Sequence, residues 1–565
     1  MIGIPASPGI AIGRAHLLAT SGDQIVEYNK GTTDDELLGL KSAVQKAKEE
    51  IEDIKNMTEE NMGSHEAQIF ESHLMILSDP ELLGHIEEGI KDDMSAPDAV
   101  IQSTDFFAEM FAAMDNPYMQ ERAADIRDVL GRVKNALLGI ETSGLKDISE
   151  PVILVTHDLT PSDTAQLPKN LILGFVTEVG GATSHSAIMA RTLEIPAVVG
   201  ASYALGGIEH GDLVILDGDT GEILKNPDDK LLSTYEEKRK KEAVEKEKLN
   251  ALIGQASVSK CGKQVEVACN IGSPDDVAVV NKNDGEGVGL FRSEFLYMDR
   301  SELPSEDEQF SAYKEAVSGL GGKPVIIRTL DVGGDKNIPY LDLPKEMNPF
   351  LGYRAIRYCL DESEVFLTQL RAILRASAFG KAKIMFPMIS TMDELKKAKA
   401  FVYEAMKSLD EKGVSYDKNI EIGMMIEIPA AALISDILAE EVDFFSIGTN
   451  DLVQYTTAVD RMNQQISSLY TPYHPAVLRL IKMVIENGHK AGIWVGMCGE
   501  AAGIKDLVPL WLAMGLDEFS VSPSSVLRVR GQIRDLDREA LGDLVKKTLS
   551  QPSAHEVKDL LNSVV

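Results

Sequence analysis

Four kinds of side chain in this sequence could do chemistry together. They are a histidine behind a glycine turn, a pair of carboxylates, a set of arginines and a cysteine at the end of an apolar run. The histidine is His185, in Gly180-Gly181-Ala182-Thr183-Ser184-His185. The glycine pair suits a tight turn, after which Thr183 or Ser184 can cap a helix starting near His185. At a helix N-terminus, free N–H groups and the positive dipole end favour an anion and disfavour an imidazolium. The neutral imidazole can attack phosphorus, and once phosphorylated it gains from the same field. Taken alone, the stretch also reads as a capped helix that happens to carry a histidine.

The carboxylates are Glu427 and Asp451, each following an apolar run. Hard oxygen ligands with no Cys or His beside them suit Mg2+, which takes one or two carboxylates and completes its shell with water and substrate oxygens. Singly, either could be an ordinary rim residue. Arg292, Arg328, Arg354 and Arg461 could converge on phosphate and carboxylate oxygens, for which guanidinium forks are suited. Asn450 can orient a substrate by side chain or backbone. Cys498, in Gly496-Met497-Cys498-Gly499-Glu500, reads first as a buried thiol; opposite an enolate it becomes a proton donor.

These groups need a scaffold. Eight short apolar runs, at residues 264–270, 287–292, 324–331, 383–388, 421–427, 442–447, 492–498 and 518–521, are separated by helical stretches. That is the count and size of a (β/α)8 barrel. The runs end in Asn270, Arg292, Arg328 with Asp331, Glu427, Asn450 with Asp451, and Cys498. Clustering at strand ends is expected of the C-terminal face of such a barrel. Earlier in the chain, strand signals at 151–155, 171–176, 197–199 and 212–217 alternate with helices and predict an α/β unit. Thr33-Asp34-Asp35-Glu36 reads as a capping box. Leu37, Leu40, Val44, Ala47, Ile51 and Ile54 then repeat at helical spacing. Further helical stretches run to residue 138 and predict a small bundle, either a support or a docking platform. His73 shares a face with Phe70 and Leu77 and reads as a core or boundary histidine. Asn226-Pro227 predicts a helix start, and the Glu- and Lys-rich run after it an exposed connecting helix.

Composition narrows the class. The 565 residues suggest about three or four domains. A net charge of −33 argues against nucleic acid, which needs a basic footprint. It fits either plain solubility or steering of a basic protein partner. No apolar run approaches the ~20 residues of a membrane span, and the N-terminus has no signal-peptide pattern. A cytoplasmic protein is expected. Four cysteines without paired metal spacing argue against a zinc site and predict free thiols.

The stretch from Gly180 to Gly200 resembles the phosphohistidine segment of the enzymes that exchange phosphoryl groups with phosphoenolpyruvate. These are Enzyme I of the sugar phosphotransferase system, phosphoenolpyruvate synthase and pyruvate phosphate dikinase. The arginine segment Gly285–Leu296, the segments 327–336 and 348–354, the metal strands 423–427 and 445–452, and Gly496-Met497-Cys498-Gly499-Glu500 extend the resemblance. It is to Enzyme I over nearly the full length. Ala182 stands where some relatives carry Arg.

The resemblance implies a multidomain α/β chain. Residues 1–22 plus 144–226 would form the phosphohistidine domain and 23–143 a helical insertion that binds the phosphocarrier HPr. Residues 227–254 would be the linker helix, and 255–565 a (β/α)8 barrel that binds phosphoenolpyruvate and dimerises. It implies Mg2+ on Glu427 and Asp451, and substrate contacts from Arg292, Arg328, Lys336, Arg354, Asn450, Asp451 and Arg461. His185 would be the phosphorylated residue, Cys498 the acid and Thr164 a partner orienting His185. The synthase and dikinase need an ATP-binding domain ahead of the histidine, for which 184 residues with a helical bundle leave no room. A silent scaffold should have lost one of these groups, and none is missing.

Overall fold

The computed structural model describes residues 1–18, 28–62, 64–113, 117–140, 148–159, 163, 167–168, 170–181, 184, 186–187, 190–191, 195–202, 204–298, 300–334, 338–341, 343–463 and 465–563. The chain divides into two units, Met1–Glu245 and Lys246–Val565.

In the first unit a seven-stranded sheet runs in the order β1-β5-β4-β3-β2-β6-β7. Its strands are β1 (Ile4–Ser7), β2 (Ile10–Leu17), β3 (Val152–Thr156), β4 (Ile172–Thr177), β5 (Ala197–Val199), β6 (Leu213–Asp217) and β7 (Glu222–Lys225). β2 pairs in parallel with β3 although 134 residues separate Leu17 from Val152. The five helices α1 (Thr33–Met62), α2 (Ser64–Ile76), α3 (Pro80–Lys91), α4 (Ala96–Ala112) and α5 (Pro117–Leu138) are therefore an insertion between neighbouring strands. They bury a core of their own, drawn among the described residues from these helices and their turns, including Ile51, Phe70, Ile86, Val100 and Val129. Separate apolar clusters cover the sheet, one around Leu154 and Phe175 and one around Val155 and Val176. This follows from strands whose alternate residues face opposite ways.

Two helix starts differ from the sequence reading. The cap of α1 is Thr32, whose Oγ1 accepts from the Asp35 N–H at 3.3 Å while Asp35 accepts from the Thr32 N–H at 3.0 Å. Glu36 is diverted to the N–H groups of Gly31 and Ala96, at 2.7 and 2.6 Å, tying the start of α4 to α1. The helix Asp229–Asn250 is capped by Asp228, which accepts from Leu231 N–H at 2.7 Å, not by Asn226. Asn226 closes the end of β7 instead, accepting from Leu213 N–H at 3.0 Å. His73 is fully buried, edge-on to Phe70 and near Asp125 and Asp128, as expected of a core residue.

The second unit is a closed parallel barrel of eight strands. They are β8 (Glu266–Ile271), β9 (Val288–Arg292), β10 (Val325–Arg328), β11 (Ala382–Phe386), β12 (Ile422–Ile426), β13 (Phe444–Ile447), β14 (Trp494–Met497) and β15 (Glu518–Val521). Each expected run supplies one strand. The strands are short and buried on both faces, against the helices outside and a side-chain plug inside, so they read as continuous apolar runs. The plug includes Leu290, Ile326, Met385, Met425, Phe444 and Cys498. Among the described residues no helix is long and apolar enough to cross a membrane.

Candidate functional site

Polar groups leave the C-terminal ends of adjacent barrel strands and meet there. Arg328 ends β10 and is buried; its Nη2 donates to Glu294 Oε1 at 2.5 Å and its Nη1 lies 2.9 Å from Asp331 Oδ2. Asp331 also accepts from Arg354 Nη2 at 2.9 Å. Arg354 lies 3.5 Å from Asp451 Oδ2, and Arg461 lies 3.9 Å from Asp451 Oδ1. The result is one chain of alternating charge, Glu294–Arg328–Asp331–Arg354–Asp451–Arg461. Burial alone would lower the pKa of Arg328 and Arg354, but the carboxylates beside them raise both. Arg292 ends β9, half-buried, and makes no hydrogen bond or ion pair to any described residue.

Glu427 follows β12 and Asp451 sits in the first turn of the helix Thr449–Thr457, just after β13. β12 and β13 are paired neighbours. Glu427 Oε1 accepts from Met388 N–H at 2.6 Å. Met388 is held at φ 56°, a left-handed conformation rare for a residue with a side chain, and this aims its amide at the carboxylate. Burial, then the charges of Asp451 and Asp331, push the Glu427 carboxyl up to about 8. Asp451 Oδ1 is buried with no hydrogen bond. A cation between these two groups would relieve both conditions, so the donor set fits a hard divalent ion held by two carboxylates. No group of three or more His, Cys, Asp or Glu suited to a metal occurs among the described residues.

Cys498 follows β14, is 3% exposed, and lies beside β13, its N–H donating to Ile447 O at 3.2 Å. Burial pushes its thiol up to about 12, so it holds its proton at neutral pH. Asn270 Nδ2 donates to the Cys498 carbonyl at 3.0 Å. Asn450 is engaged by Glu500, its Oδ1 accepting from Glu500 N–H at 3.2 Å and its Nδ2 donating to Glu500 Oε1 at 3.3 Å.

The barrel mouth thus brings together Arg328, Arg354, Asp451 and Arg461 by direct contact, with Arg292, Glu427, Asn450 and Cys498 on strand ends or loops of the same face. Lys336, His185 and Thr164 lie outside the described residues. Beside His185, Ser184 Oγ accepts from Ala187 N–H at 3.4 Å, which is the expected cap, and Gly180 takes φ 107°. Sequence reasoning missed Glu294 beside Arg328, the Met388 amide beside Glu427, and Tyr455, whose hydroxyl accepts from Arg354 Nη1 at 3.2 Å. An acid two residues after a strand-ending arginine was the available signal for Glu294; the other two had none.

Comparison with known proteins gives the family. Residues 246–538 match the PEP-binding domain of the PEP-utilising enzymes, residues 2–122 their N-terminal region and residues 148–221 their mobile domain. The chain is 52% identical over 556 residues to a phosphoenolpyruvate-protein phosphotransferase of Geobacillus stearothermophilus, covering 98% of this chain and 96% of that one. It is 52% identical over 556 residues to the phosphoenolpyruvate-protein phosphotransferase of Bacillus subtilis, covering 98% of each. The protein of that name from Priestia megaterium is 50% identical over 562 residues, covering 99% of this chain and 98% of that one. The chain belongs to the PEP-utilising enzyme family, among its phosphoenolpyruvate-protein phosphotransferases.

Proposed function

We propose that this enzyme moves the phosphoryl group of phosphoenolpyruvate to its own His185, releases pyruvate, and passes the phosphoryl group on to the histidine of the phosphocarrier HPr. The observation that carries the reading is the run of ion pairs at the barrel mouth from Glu294 to Arg461, within which Asp451 Oδ1 is buried and accepts no hydrogen bond.

Glu427 and Asp451 would hold Mg2+, which when bound supplies positive charge to the phosphate and carboxylate oxygens of the substrate. Arg292, Arg328, Arg354 and Arg461 take the remaining charge, and Asn450 and Lys336 orient the substrate. As the bridging P–O bond loosens, its electron pair moves to the enol oxygen while the arginines stabilise the equatorial phosphoryl oxygens. The neutral imidazole of His185, oriented by Thr164, supplies the lone pair that forms the new P–N bond. Cys498 then gives its proton to the methylene carbon of the enolate, leaving a thiolate and pyruvate.

We assign residues 1–22 and 144–226 to the phosphohistidine domain and 227–254 to the linker. Residues 23–143 are the docking platform for HPr; exposed Met75 and Phe106 on a unit with its own core support this. Residues 255–565 are the substrate barrel, with a homodimer formed through it; exposed Leu433 and Ile437 on the short helices after β12 support that. Four free cysteines fit a cytoplasmic setting. The test is transfer of 32P from labelled phosphoenolpyruvate to HPr in Mg2+. Label on HPr that depends on His185 is expected; label on HPr with His185→Ala would overturn the route.

A further inference from the structure

Arg354 is fully buried, and one of the groups that hold it lies outside the charge chain. Its Nη1 donates to the Tyr455 hydroxyl at 3.2 Å. That hydroxyl donates in turn to the carbonyl of Phe350 and lies 4.0 Å from Met388 Sδ. Tyr455 sits one turn beyond Asp451 on the same helix, so its position is fixed relative to that carboxylate. Phe350 lies in the turn Pro349–Leu351, and its ring centroid is 5.7 Å from the guanidinium carbons of both Arg354 and Arg461. The backbone is bent to make this possible. Gly333 takes φ 98°, and a Cβ there would stand 2.6 Å from Arg354 Cβ. Ala355, next to Arg354, is held at φ 51° and ψ −123°, a conformation that residues with side chains rarely take.

We propose that Tyr455 is a positioning residue for phosphoryl transfer: by accepting from Arg354 and donating to Phe350, its hydroxyl fixes the guanidinium that meets the phosphoryl oxygens. Only a group that both donates and accepts can make the link, so Phe cannot replace it. Burial pushes the phenol up to about 12, which keeps the donating proton in place. Without the hydroxyl, Arg354 keeps Asp331 and Asp451 as partners but is free to rotate about them, away from a phosphoryl group. This rests on the role given above to Arg354.

The test is Tyr455→Phe with two dead-end ligands measured by calorimetry in Mg2+. Phosphoglycolate carries both the phosphate and the carboxylate of the substrate; oxalate resembles the enolate and has no phosphate. The variant should bind phosphoglycolate about tenfold more weakly and oxalate within twofold of the parent, with the KM for phosphoenolpyruvate raised. Equal loss of both ligands, or loss of neither, would overturn the inference. In an Arg354→Ala background, Tyr455→Phe should add less than twofold, and a further tenfold loss there would also overturn it. If Arg354→Ala weakens phosphoglycolate and Tyr455→Phe does not, the inference alone fails. If Arg354→Ala spares phosphoglycolate, the role given to Arg354 fails and the inference with it.

Discussion

The barrel carries buried acid at the end opposite its site, and this sets a pH dependence. Glu266 opens β8 and is in register with Glu518 at the start of β15. Burial pushes the Glu266 carboxyl up to about 7; Lys383 opposes this, and Glu286 and Glu421 add to it. Lys383 is itself paired with Glu421 at 2.8 Å. Glu518 is buried with no hydrogen bond to either oxygen, and burial raises it well above the usual range. A carboxyl whose folded pKa exceeds its unfolded value binds its proton more tightly in the folded state. Stability is then undiminished below the unfolded value near 4.5 and falls as pH rises towards 7. At about 1.4 kcal/mol per unit, the loss from Glu266 alone reaches about 3 kcal/mol above pH 7. Glu266→Gln keeps the shape and removes the ionisation. Its barrel unfolding transition, followed by calorimetry, should match the parent near pH 4.5 and exceed it by about 3 kcal/mol at pH 8. At about 2 °C per kcal/mol for a unit this large, that is about 6 °C. A difference that stays constant from pH 4.5 to 8 would refute the reasoning.

Arg292→Ala should raise the KM for phosphoenolpyruvate by about 10- to 100-fold, the worth of a charged hydrogen bond to phosphate, while melting stays within about 1 °C, since no described partner is lost. Cys498→Ala should slow pyruvate release by at least about 100-fold, within the range of a lost general acid, with substrate affinity retained; this is read from pyruvate formed in a single turnover. Deleting residues 33–143 and rejoining the ends should spare phosphorylation of the enzyme and abolish transfer to HPr, because the insertion buries its own core and leaves the pairing of β2 with β3 in place. Circular dichroism confirms folding of the deletion before the assay.

Much of the barrel was legible because its strands are doubly buried and end in polar groups. Val325–Arg328 and Ile422–Ile426 with Glu427 read correctly as apolar runs closing on a charge. The strand-end arginines and carboxylates were visible for the same reason. Helix starts were less legible. Thr32 and Thr33 are equally good caps by type, and only the diversion of Glu36 to the distant Ala96 amide decides between them. Asn226 and Asp228 present the same ambiguity. The supporting parts of the site were hidden because their roles arise between residues far apart in the chain. Tyr455 meets Arg354 across 101 positions and Met388 meets Glu427 across 39. No local pattern marks an alanine or methionine that must adopt a positive φ, or a helical tyrosine whose hydroxyl bridges two loops.

The central claim is that phosphoenolpyruvate itself phosphorylates one histidine of this chain. The most direct measurement is the intact mass after incubation with phosphoenolpyruvate and Mg2+, beside a sample given ATP and phosphate. A single acid-labile, alkali-stable phosphoryl group on the His185 peptide, gained from phosphoenolpyruvate alone, is the predicted result. Labelling that required ATP, or no labelling of the folded protein by either donor, would contradict the account.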